Sequence, residues 1–118
     1  MKRVVITGMG VISPIAKDIT TYWNSLQNGV LGISEITSIP TDELVVKIAG
    51  EVKDFKPEDF GVDKDMARRA DLFTQYAMAA AQQAMTDSKL SVNPERLGVS
   101  GRAPKNERRQ IAAFYHIP

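Results

Sequence analysis

The chain has 118 residues, 43% of them hydrophobic, and its 15 basic and 14 acidic side chains nearly cancel, so no overall field draws it to nucleic acid or to an anionic membrane. It has no cysteine, which excludes disulfides, thiolate metal sites and a cysteine nucleophile within these residues. No apolar run approaches the roughly 20 residues of a membrane-spanning helix, and Lys2 and Arg3 precede no signal-peptide core, so a single cytoplasmic domain is the expectation.

The chain opens with Val4, Val5 and Ile6 in an uninterrupted β-branched run, which predicts a strand over Arg3–Thr7 buried on both faces. Gly8 and Gly10 stop it and lead into a tight turn that carries Val11 and Ile12 and closes at Pro14. A strand of this kind needs neighbours for its backbone groups.

Beyond Pro14, Ile19, Tyr22, Trp23 and Leu26 fall on one face of a helix, with Asp18 or Thr20 as its N-cap and Gly29 placed to end it. Trp23 on that stripe is assigned to the core rather than to a ligand platform. Val30 to Pro40 predicts a loop anchored by Ile33, Ile36 and Ile39. Leu44 to Val52 predicts a second strand, with Gly50 marking a bulge or a close backbone approach, and Phe55, Pro57 and Phe60 tie down a short link.

A single long helix is predicted from about Asp65 to Ser88. Phe73, Tyr76, Ala77, Ala80, Ala81, Ala84 and Met85 recur on one stripe, and its alanines leave room for a close neighbour. Lys64, Arg68 and Arg69 lie at its start, where positive charge opposes the helix dipole. They form either a solvated end, with Asp63 or Asp65 as cap and Asp65 four residues before Arg69, or a docking patch for an acidic partner. Asn93 and Pro94 mark a single helical turn, after which Arg96 to Val99 predicts the start of another strand. Residues 1–99 carry a net charge of −2, whereas Arg102, Lys105, Arg108 and Arg109 against Glu107 give residues 100–118 a net of +3.

A glycine-rich turn between strand and helix also serves dinucleotide binding. Gly8, Met9, Gly10, Val11, Ile12 and Ser13 lack the third glycine of that pattern, Pro14 stands where the helix opens, and no acidic residue ends a second strand about 20 residues on. The nucleotide-binding reading is set aside.

Taken in order, VVITGMGVISP (4–14), the Trp23 helix with GVLGI (29–33), KIAGEV (47–52), DFKPEDF (54–60), ARRADLFTQYAMAAAQQAM (67–85) and RLGV (96–99) closely resemble the N-terminal part of the β-ketoacyl-acyl carrier protein synthases, within them the synthase II branch. The resemblance implies an α/β chain, the opening portion of the N-terminal half of a thiolase-like fold, with strands packed on the alanine-rich helix. It implies a family that moves an acyl group from carrier protein to a cysteine and condenses it, with decarboxylation, onto malonyl-carrier protein in fatty acid biosynthesis. That chemistry uses a thiolate, two histidines and an oxyanion hole, no metal and no cofactor. This chain has no cysteine and one histidine, His116, which lies outside the matched stretch and is not assigned a catalytic role.

The implied partners are acyl carrier protein, through Lys64, Arg68 and Arg69, and, in the full-length family, a second subunit of a homodimer; a carrier-protein- or synthase-binding module without catalysis is the alternative. The resemblance ends at Val99. With the change in charge and the early stop, this implies a partial synthase domain over 1–99 and a divergent tail over 100–118, produced by a frameshift or deletion. A partial fold with an uncovered sheet edge is expected to be marginally stable.

Overall fold

The computed structural model describes residues 3–101. Its elements, in chain order, are α1 (Ile19–Gln27), β1 (Ser34–Glu35), β2 (Ile48–Ala49), a 3-10 helix (Pro57–Phe60), α2 (Lys64–Arg69), α3 (Leu72–Ser88) and a second 3-10 helix (Pro94–Arg96).

The ends of α1 follow from its residues. The Asp18 carboxylate accepts from the Thr21 N–H at 2.8 Å. At the other end Gly29 takes φ +63°, and Gly29 and Val30 donate to the carbonyls of Leu26 and Ser25 at 3.1 and 2.9 Å, the paired bonds of a Schellman cap. The face α1 buries is the predicted one only in part: Ile19 and Tyr22 are partly covered. Trp23 is 59% exposed and Leu26 is exposed too, while Ser25 is buried, its hydroxyl donating to the Ile15 carbonyl at 3.1 Å. Trp23 is therefore not core in this structure, because no element among the described residues covers that side of the helix.

The predicted strands are mostly absent. Arg3–Thr7 runs without strand pairing, and Val4 and Ile6 are 92% and 84% exposed. Arg96–Val99 forms no strand either; Arg96 closes the second 3-10 helix, with its N–H donating to the Asn93 carbonyl at 2.9 Å. Strand structure exists only where two backbones pair, and neither segment finds a partner among the described residues. Of Leu44 to Val52, only Ile48–Ala49 pairs, antiparallel to Ser34–Glu35 within the stretch expected to be loop, with Ser34 opposite Ala49 and Glu35 opposite Ile48.

The predicted long helix is two helices. Ala70 (φ −103°, ψ 140°) and Asp71 (φ −64°, ψ 156°) are extended, which ends α2 at Arg69 and starts α3 at Leu72. The Gln75 amide spans the break, its Nε2 donating to the carbonyls of Ala67 and Ala70 at 2.9 Å each, so carbonyls left over at the end of α2 are satisfied.

The core sits where α3 and α2 meet the first 3-10 helix. Val62, Ala67 and Ala79 are buried at its centre, with Ile12, Phe55, Phe60 and Met78 packed around them. Phe55 stacks on Phe60 with centroids 5.5 Å apart and meets Tyr76 edge-on at 4.7 Å. The predicted stripe on α3 divides. Ala80 and Ala84 are partly covered, whereas Ala77, Ala81 and Met85 are exposed.

What covers the Ala80 and Ala84 side is the glycine segment. A Cβ at Gly10 would lie 2.0 Å from the Ala80 carbonyl oxygen, and one at Gly8 2.2 Å from that of Ala84. Neither glycine has positive φ, so they are needed for close approach rather than for a left-handed turn. The part of the expected tail beyond Gly101, His116 included, lies outside the described residues.

Candidate functional site

The three basic residues singled out by sequence all belong to α2 or its first turn, and all three are exposed. Asp63 starts the helix, its Oδ1 accepting from the N–H groups of Asp65 and Met66 at 3.0 Å each. Ala67 anchors the inner face. Lys64 occupies the first turn and approaches Glu58 of the preceding 3-10 helix at 3.9 Å. Lys64 and Arg68, four residues apart, share one side of the helix, and Arg69 lies further round.

Because α2 ends at Arg69, Arg68 and Arg69 occupy a last turn, not the first turn of a long helix. Positive charge there is favoured by the helix dipole, by about 0.3–1 kcal/mol per group at low salt. Only Lys64 stands at the unfavourable end. The expectation that the helix dipole opposes these arginines therefore reverses, and both remain exposed on one short helix. No ion pair joins Asp65 to Arg69 among the described residues.

The glycine segment has a different environment from a phosphate cradle. The Met9 N–H donates to Asp87 Oδ2 at 3.0 Å and the Val11 N–H to Gln83 Oε1 at 3.2 Å. Gln83 Nε2 in turn donates to the carbonyls of Lys17 at 2.7 Å and Val11 at 3.4 Å. Two α3 side chains thus take the place of a neighbouring strand for Met9–Val11, and a carboxylate occupies the side on which an anion would bind. A cleft of about 700 Å³ lies beside this contact, with Asp18, Asp59 and Phe60 among its walls. Asp18 and Asp87 already accept backbone hydrogen bonds. Capping Thr21 holds the Asp18 carboxyl below its ordinary value.

Glu51 fastens the β1–β2 ribbon to the loop after β1. Its carboxylate accepts from the Thr37 N–H and hydroxyl at 2.9 and 3.0 Å, from the Ser38 N–H at 3.1 Å, and from the Ser38 hydroxyl. The Ser38 hydroxyl and Thr37 N–H lead in drawing its pKa from 4.5 down to about 2. Nearby, burial pushes the Tyr76 phenol up, and the Glu51 charge adds to this.

The structural roles of Glu51, Gln75 and Gln83 escaped the sequence reading. For Gln83 a signal existed, a glutamine and an aspartate four apart beside small residues on a helix that must pack. Among the described residues no group of three or more histidine, cysteine, aspartate or glutamate side chains is placed to hold a metal ion, and no helix is long and apolar enough to cross a membrane.

Residues 1–109 match the family model of the β-ketoacyl synthase N-terminal domain. The chain belongs to the β-ketoacyl synthase family. It is 50% identical over 101 residues to 3-oxoacyl-(acyl-carrier-protein) synthase 2 of Staphylococcus aureus strain COL, an alignment covering 83% of this chain and 24% of that protein. The synthase 2 of Synechocystis is 42% identical over 92 residues, 78% of this chain and 22% of its own length.

Among solved structures, the ishigamide ketosynthase/chain length factor superposes with a TM-score of 0.64 at 36% identity, covering 74% of this chain and 21% of that one. The structure is thus part of a β-ketoacyl synthase N-terminal domain, in three α-helices and a two-stranded ribbon among the described residues. This β-ketoacyl synthase chain spans about a quarter of the length of the curated relatives it matches.

Proposed function

We propose that the chain is the opening portion of a condensing enzyme of the 3-oxoacyl-acyl carrier protein synthase II type, and that α2 serves as its docking face for acyl carrier protein. The parent reaction is the decarboxylative condensation of an acyl group with malonyl-carrier protein. The observation that carries the reading is 50% identity over 101 residues to a synthase 2. The exposure of Lys64, Arg68 and Arg69 on one short helix suits an acidic partner, whose approach such charges steer.

The 118 residues hold no cysteine and a single histidine. A condensing enzyme needs a thiolate to accept the acyl group and paired histidines to polarise the thioester, so on this reading these residues contribute binding and framework rather than chemistry. The exposure of Lys64, Arg68 and Arg69 also suits a second reading, a carrier-protein- or synthase-binding module that acts without catalysis.

Titration of labelled acyl carrier protein into the purified chain at low salt tests the docking role. Saturable binding is expected, weakened several-fold by Arg68→Glu and by raising ionic strength from 0.01 M to 0.15 M, over which the screening length falls from about 30 to about 8 Å. With acyl-loaded carrier protein, mass spectrometry should find no acyl group on the chain. Binding indifferent to Arg68→Glu would remove α2 from the interface, and an acylated chain would overturn the non-catalytic assignment.

A further inference from the structure

We draw no further inference here: the strongest candidate, the extended Arg3–Thr7 segment whose Val4, Val5 and Ile6 side chains lie exposed without a paired strand, is an unpartnered apolar face, and nothing in the structure shows what covers it.

Discussion

At Gly10 a methyl group would have to share space with the Ala80 carbonyl oxygen, 2.0 Å away, and with the Gln83 side chain at 2.8 Å. The nearest obstacle is helix backbone, which cannot rotate aside as a side chain would. Gly10→Ala should therefore lift the glycine segment off α3, at a cost of about 1–3 kcal/mol for overpacking. Gly29→Ala has free space around it and should cost less, its penalty being the positive φ alone. Urea denaturation of the two variants separates these effects, and equal losses would sink the close-approach account.

Glu51 offers a second test at the same scale. Its folded pKa, about 2, lies below its ordinary 4.5, so the contribution of its ionised form is complete above pH 4.5 and fades as pH falls through about 2. Amide exchange at Thr37 and Ser38 should accelerate over that acid window. Glu51→Gln should exchange fast throughout and show no such transition. A Glu51 carboxyl titrating near 4.5 by NMR would show that the four hydrogen bonds do not hold in solution.

Among the elements, the joint between α2 and α3 depends on one amide. Gln75→Leu removes both bonds from Nε2, leaving the Ala67 carbonyl with only the Ala70 N–H at 3.3 Å and the Ala70 carbonyl short of a donor. The expected loss is about 1–3 kcal/mol, concentrated in α2, and seen as faster amide exchange there than in the second half of α3. Uniform acceleration across both helices would mean that they behave as one unit and the break is not a joint.

This joint also marks where sequence reading stopped being sufficient. The α1 helix was legible to its ends, because Asp18 and Gly29 act on their own neighbours. The same is true of the Asp63 cap and the Asn93–Pro94 turn. Asp71 is an N-cap residue type and starts α3, but the alanine before it in a helical pattern looks like more helix, and Gln75 reaching back across the break has no local signature.

Strand propensity in Val4–Ile6 was equally plain and still produced no strand, because pairing belongs to two segments and none of the described residues pairs with this one. In the candidate site the identities of Lys64, Arg68 and Arg69 were legible. Which helix end each occupies was not, and that decided the sign of their interaction with the dipole.

For the molecule as a whole, the described apolar residues that are buried are Ala16, Val62, Ala67, Ala70 and Ala79. Side chains this small bury little area each, at roughly 25 cal/mol per Å², whereas larger ones such as Val4, Leu31, Val45 and Val46 remain in water. Exposed apolar surface beside unpaired backbone invites association. Sedimentation velocity should show mass rising with concentration, and replacing Val5 and Ile6 together with lysine should reduce it. A monomer across that range with a sharp cooperative melt would contradict this.

The contact of Met9 with Asp87 joins residues separated by 78 positions. At about 5–20 residues per second of synthesis, Met9 is made roughly 4 to 16 seconds before the helix turn that receives it. During that interval the Met9 and Val11 N–H groups have no Asp87 carboxylate and no Gln83 side chain to receive them. The Met9 and Val11 N–H groups therefore stay with solvent until α3 has been made through Asp87.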